Sequence, residues 1–405
     1  MATAVDDALA ELDARLARFG AERYPVQRAT TQFHRGVVLA EVSRAPEAAD
    51  ALTEALGLFD AAQLPVEHAK ARNARGAVMR QLGRPAEAAR DFRAAADAFA
   101  TAELGAEEGA ARFNLGLVER DAGDHTAALA AFEAARDRFA TADQARSEAA
   151  ARREAGATLL ALDHPEAAAV VLAEALDRAR EVGDRTGAGL AANLAGLALL
   201  AQDRPAPAAD HFEAAADLHR PRRHPEGYAV ACANLAVAAE RGGDESRAVV
   251  AARLASTVVA PPPAAAALAA EVLDRAGPVP DALVAVAVDG HGRLLRDELE
   301  RWHEAGEGQA TMAAAGWVTG VLAHPRPVEA LTAWLDALLE LPPPVLATAV
   351  EATTAALTGQ EGDEVSRFRS LAAQAFARFP LPQWNRLARA FEVAAAARGL
   401  EPGWR

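Results

Sequence analysis

The sequence predicts an all-α fold, an α-solenoid of helix-turn-helix repeats followed by a helical C-terminal module. Three observations carry the prediction. Laid on itself, the chain keeps an uninterrupted 40-residue period from about residue 25 to about residue 260, which gives six copies. Small residues recur at fixed columns of the copies, as helices crossing at short range require. Outside the copies the apolar spacing fits a period of 3.6 residues better than a period of 2.

Composition bounds the rest. The 405 residues are 51% apolar and 24% charged, too apolar for a disordered chain. A single cysteine, Cys232, excludes a disulfide framework and a cysteine-built zinc site. The net charge of −15 argues against nucleic acid or an anionic membrane as the main partner, since both are bound by clustered positive charge. Lys70 is the one lysine among 42 basic residues, a bias that reads as GC-rich coding and not as chemistry. No apolar run approaches the length of a membrane span, about 18 residues or more, so no transmembrane helix is expected and a cytoplasmic location is.

Residues 1–24 read as an N-terminal capping helix. Val5, Leu9, Leu12, Leu16 and Phe19 share one helical face, and the acidic start lacks the basic region of a signal peptide. Residues 25–263 hold the six repeats. One column reads Gly36, Gly76, Gly116, Gly156, Gly196 and Ala236, and a second reads Ala48, Ala88, Ala128, Ala168, Ala208 and Ala248. A third is Ala55, Ala95, Ala135, Ala175, Ala215 and Ala255, and between the alanine columns stand Leu52, Phe92, Phe132, Leu172, Phe212 and Ala252. A residue with almost no side chain lets two backbones approach, and the larger residue one turn away fills the adjoining gap. Ser43, Gly83, Gly123, Asp163, Asp203 and Gly243 mark the turn inside each pair, with Pro46, Pro85 and Pro165 in the first turn of the second helix.

These columns, seen most plainly in RGAVMRQLGRPAEAARDFRAAADAF (75–99) and NLGLVERDAGDHTAALAAFEAA (114–135), make the chain resemble the tetratricopeptide repeat family. The 40-residue length resembles the longer variety found in actinobacterial regulators, and YPVQRATTQFHRG (24–36) resembles the first repeat of arrays joined to caspase-like CHAT domains. There Arg28 stands for the usual tryptophan, and Phe33 and His34 for paired asparagines. The resemblance implies a right-handed solenoid whose first helices line a concave face that holds peptides or partner proteins.

A seventh, shorter repeat is read over 264–290, with Ala270, Gly277, Ala282 and Val286 in the column roles after the break at Pro261, Pro262 and Pro263. Residues 291–405 form the helical C-terminal module. It holds all five tryptophans, Trp302, Trp317, Trp334, Trp384 and Trp404, and Pro327, Pro344 and Pro382 sit at its helix starts. The module is expected to cap the open end of the stack.

Signatures of catalysis are missing: there is no phosphate-binding glycine loop, no nucleophile elbow and no HExxH pair. No enzyme activity, metal or cofactor is expected. Asp289, His291 and Glu304 are the residues from which an alternative, an enzyme site in the C-terminal module, could be drawn. The second reading, a sensor or regulatory subunit of an actinobacterial multi-gene system with a caspase-like partner, rests on the resemblance at 24–36. The primary reading is a non-enzymatic scaffold that binds a peptide segment or partner protein.

Summed over the six repeats, the first helices are weakly positive and the second helices negative, so the concave face favours an acidic segment. Its central column is Gln32, Arg72, Arg112, Arg152, Ala192 and Cys232, an arginine ladder with Lys70, Arg75, Arg80, Arg120 and Arg153 nearby. Guanidinium groups can hold carboxylates or peptide carbonyls. Asn73, Asn114, Asn193 and Asn234 could add hydrogen bonds to a peptide backbone. The arginines could equally cover apolar surface and pair with Glu154 or Asp121. A second basic cluster, His219, Arg220, Arg222, Arg223 and His224, reads as an exposed connector.

Overall fold

Alanine-rich segments with a charged residue every few positions have high helix propensity and one narrow apolar stripe, so they fold as short helices that must pair. The computed structural model describes residues 2–20, 22–256, 258–276, 282–288, 292–400 and 404, and these contain no strand. The chain divides into two compact units, 1–202 and 203–405.

In the first unit α1 (Ala2–Arg18) packs on α2 (Pro25–Glu41). The pairs follow as α2 with α3 (Ala45–Ala61), α4 (Pro65–Gln81) with α5 (Pro85–Thr101), α6 (Gly105–Asp121) with α7 (His125–Thr141), and α8 (Ala145–Ala161) with α9 (Pro165–Glu181). A further helix, α10 (Arg185–Ala201), packs on α9 and α8. This is the all-α, tetratricopeptide-like array of stacked helix pairs that the columns predict.

Helices α2 to α10 each have 17 residues and are separated by three-residue turns, so the backbone repeats every 20 residues while the sequence repeats every 40. The turns share one chemistry. At the first, Ser43 takes a φ of 60°, its N–H donates to Ala40 O at 3.1 Å, and the N–H of Arg44 reaches back to Leu39 O at 2.9 Å. These are the two bonds of a Schellman end, which satisfy carbonyls the helix leaves open. Gln63, Glu103 and Asp143 do the same between pairs, with φ between 54° and 57°, although the sequence singled out only the turns within pairs.

The small-on-large columns close the pairs. A Cβ added at Gly116 would lie 2.7 Å from the Phe132 ring, and one at Gly156 would lie 2.5 Å from Leu172; Gly36 meets Leu52 and Gly76 meets Phe92 in the same way. Leu52, Phe92, Phe132 and Leu172 are buried, as are the alanines that flank them. Successive first helices also touch, α2 with α4, α4 with α6 and α8 with α10, whereas the second helices α3, α5, α7 and α9 have no comparable contact with one another. That asymmetry bends the unit so that its first helices line the inner side.

The second unit begins with α11 (Pro205–His219), α12 (Pro225–Arg241) and α13 (Glu245–Ser256), packed as neighbours; α14 (Pro263–Ala276) covers α12 and α13. Then come α15 (Ala282–Val288), α16 (Gly292–Ala305), α17 (Glu307–Ala323), α18 (Pro327–Glu340), α19 (Pro343–Leu357), α20 (Gly362–Phe376) and α21 (Leu381–Ala397). Here the packing changes to alternate helices: α17 lies on α19, α18 on α20 and α19 on α21. Aromatic rings form its core. Trp317 stacks on Trp334 at 5.7 Å, Trp334 meets Phe391 edge-on at 5.9 Å, and Phe391 stacks on Trp404 at 5.0 Å. Of the residues assigned to a seventh repeat, Ala270 is exposed on α14; Gly277 lies outside the described residues, as do the side chains of Ala282 and Val286.

Candidate functional site

The helical register splits the basic residues of the first unit into two groups with different environments. The ladder column faces the flank of each pair and meets buried carboxylates. Arg72 on α4 lies 3.5 Å from Asp91 on α5, and Arg75 grips the same carboxylate with two bonds of 2.7 and 2.8 Å. Arg112 on α6 donates to Glu108 at 2.9 Å, and Arg138 on α7 approaches that group at 3.2 Å. Arg152 on α8 donates to Glu148 at 2.9 Å and also pairs with Glu174, while Arg178 on α9 donates to the other Glu148 oxygen at 3.0 Å.

Asp91, Glu108 and Glu148 are only 2%, 3% and 6% exposed, so each needs these partners to stay charged inside the stack. Hydrogen bonding to Asp91 in turn raises the Arg75 guanidinium above its already high range. The charge of the three ladder arginines is therefore met from within the unit: Arg72 and Arg152 reach carboxylates on the second helix of their pairs, while Arg112 shares Glu108 with Arg138 of α7. Adding charges by helix could not register this, because a net value does not show which carboxylates are buried against which arginines.

A second group runs across the inner side from one first helix to the next. Asn114 Nδ2 donates to Asn73 Oδ1 at 3.4 Å, joining α6 to α4. Arg80 on α4 pairs with Asp121 on α6 at 3.2 Å, and Arg120 on α6 pairs with Glu154 on α8 at 2.5 Å. Arg153 shares Glu154 at 2.8 Å. Asp121 and Glu154 are thus the partners of Arg80, Arg120 and Arg153, and not of the ladder. Asn73, Asn114 and Arg153 are half-buried, Lys70 on α4 is exposed, and Asn193 is half-buried on α10. Ala110, Ala150 and Leu190 take the position of Lys70 in the later repeats, the alanines half-buried and Leu190 exposed. Such a row offers amide and guanidinium groups with small or aliphatic residues in the same columns. Asn234 is buried on α12 of the second unit.

Cys232 is fully buried on α12, which removes it from surface chemistry. Asp289 and His291 lie outside the described residues, and Glu304 is exposed on α16. Among the described residues no three His, Cys, Asp or Glu side chains are grouped to hold a metal, and no helix is long and apolar enough to cross a membrane.

The second unit has a cavity of about 270 Å³ that sequence reasoning missed. The connector residues Pro221, Arg222 and Pro225 and the following Tyr228 face Asp297, Glu300 and Glu304 across it. Tyr228 donates its hydroxyl proton to Asp297 at 2.8 Å, and burial, then Asp297, raises the Glu300 carboxyl above its ordinary range. The connector read as exposed is exposed from Arg220 to His224, but His219 at its start is buried against Gly227.

Burial, and then the neighbouring His224, push the His219 imidazole below its ordinary value of 6.5. The unfolded chain takes up this proton at the ordinary value and the folded chain only at lower pH. Stability is therefore complete above 6.5 and falls as the pH drops from there towards the folded value. His68 is shifted in the same direction, by burial first and Arg72 second. Thermal melts between about pH 7.5 and pH 5.5 should show this loss, and His219→Asn should shrink it. A decline as steep in the variant as in the parent would remove His219 from the explanation.

No family model matches the chain, and no curated protein matches it. Among solved structures it is similar to the C-terminal part of a TPR repeat-containing protein from Cytophaga hutchinsonii, at 14% identity and a TM-score of 0.47, covering 65% of this chain and 94% of that one. It is also similar to pilF of Pseudomonas aeruginosa, at 15% identity and 0.45, covering 61% and 99%. A Rap protein complexed with competence and sporulation factor is similar over 98% of this chain and 99% of its own, at 14% identity and 0.41.

Proposed function

We propose that the chain is a non-enzymatic interaction scaffold whose inner first-unit surface, formed by Lys70, Asn73, Asn114, Arg153 and Asn193, holds a segment of a partner protein. The carrying observation is the Asn73–Asn114 contact, which sets two amides side by side on adjacent first helices within a half-exposed row. An amide presents both donor and acceptor, so a pair of them can meet the N–H and C=O of a bound backbone whatever its sequence. The ion pairs Arg80–Asp121, Arg120–Glu154 and Arg153–Glu154 hold the row in one geometry before binding, so little ordering entropy is lost on association. In this reading Arg72, Arg112 and Arg152 support the surface and their outer guanidinium edges are its margin.

The test uses the protein partner recovered on the immobilised full chain from the native cell extract. Asn73→Ala combined with Asn114→Ala should weaken its affinity by about tenfold or more, equivalent to about 1.4 kcal/mol, with helicity and melting temperature unchanged. Unchanged affinity in this double variant contradicts the proposal.

A further inference from the structure

The last helices of the second unit carry an apolar groove that the reading above does not use. α19 and α21 pack side by side, and a hollow of about 310 Å³ lies over their seam. Its floor is Leu346 and Val350 from α19 and Ala394 from α21, all buried. On its edge stands Val393, 65% exposed, although α21 could present that position as a charge at no cost to packing.

The rim is charged unevenly. Arg386 and Arg389, three residues apart on α21, are both exposed, and neither has an ion-pair or hydrogen-bond partner among the described residues. Among the described residues Glu351 on α19 is the only carboxylate lining the hollow. Arg386, Arg389, Ala390 and Val393 fall at spacings of three, one and three along α21, which puts two guanidinium groups and two apolar groups in one strip.

We propose that this groove docks an amphipathic helix of a partner protein, its apolar face over Leu346, Val350 and Val393 and its acidic flank against Arg386 and Arg389. Helix-in-groove recognition needs an apolar trough with a defined charged edge, and both are present. A second copy of the same face is the poorer complement: it brings two guanidinium groups for each carboxylate, so like charge accumulates where an acidic helix neutralises it.

The test uses the full chain and two fluorescein-labelled synthetic peptides of about 16 residues, long enough to hold a helix. Both have leucine along one face; one has glutamate on the flanks and the other lysine. Fluorescence anisotropy should show the glutamate peptide binding and the lysine peptide binding at least tenfold more weakly. Arg386→Glu with Arg389→Glu should reverse that order, and Val393→Asp should abolish binding of both. Arg367→Glu, an exposed change on α20, should have no effect. Melting temperatures of these surface variants should match the parent. Equal binding of the two peptides, binding of neither, or the same loss in Arg367→Glu overturns the proposal. Self-association of the parent that is lost in Val393→Asp also overturns it, by assigning the groove to a second copy.

Discussion

Phe132→Ala is expected to destabilise the first unit by about 3–5 kcal/mol, the usual cost of emptying a fully buried phenylalanine site. The ring is 0% exposed, lies over Gly116, meets Phe113 edge-on at 5.5 Å and is packed against Ala128 and Ala155. It therefore joins its own pair to the next one, since Ala155 belongs to α8. The converse change, Gly116→Ala, forces a methyl to within 2.7 Å of the same ring and is also expected to be costly. Once Phe132 has been cut back to alanine, the added methyl enters empty space. The two changes should then be non-additive by about 1–3 kcal/mol in a double-mutant cycle followed by urea unfolding. Simple additivity would show that the glycine column does not exist to admit the aromatic column.

That pair also marks what the sequence could reveal. The 40-residue register, the helix pairs and the small-on-large columns were legible because a glycine facing a phenylalanine or leucine leaves a mark in both positions. Turns such as those at Gln63, Glu103 and Asp143 were not legible, because their side chains are ordinary for a helix end. The left-handed conformation there is imposed by the two backward hydrogen bonds and by the next helix docking. The arginine column was visible as a column, but its chemistry was not. Asp91 is 19 residues from Arg72, Glu108 is four before Arg112, and Glu148 serves both Arg152 and Arg178, so no single spacing announces the pairs. The residues of the inner row were legible as candidates, but their contact was not: Asn73 and Asn114 stand in adjacent columns, 41 residues apart, and meet only because the first helices pack with that offset.

Glu148→Ala is expected to cost about 3–5 kcal/mol, the range for removing one partner from a buried ion pair and leaving the other uncompensated. Glu148 holds Arg152 and Arg178 from two helices of one pair, so its loss removes the buried acceptor of two guanidinium groups at once. Each has a second partner nearer solvent, Glu174 for Arg152 and Glu181 for Arg178, which places the expected loss at the lower end of that range. Replacing the buried pair by apolar residues, Glu148→Leu with Arg152→Leu, should recover much of the loss, because the desolvation cost of both charges disappears together. Added salt should change the parent's stability little through this buried group, since screening acts mainly on exposed charges. If instead Glu148→Ala is as stable as the parent, the Glu148–Arg152 pair does not brace the helices. The same measurement decides how charge reversals in the ladder are to be read. Arg152→Glu would set a second carboxylate against Glu148, so a loss of partner binding in that variant follows from a damaged pair unless its stability is intact.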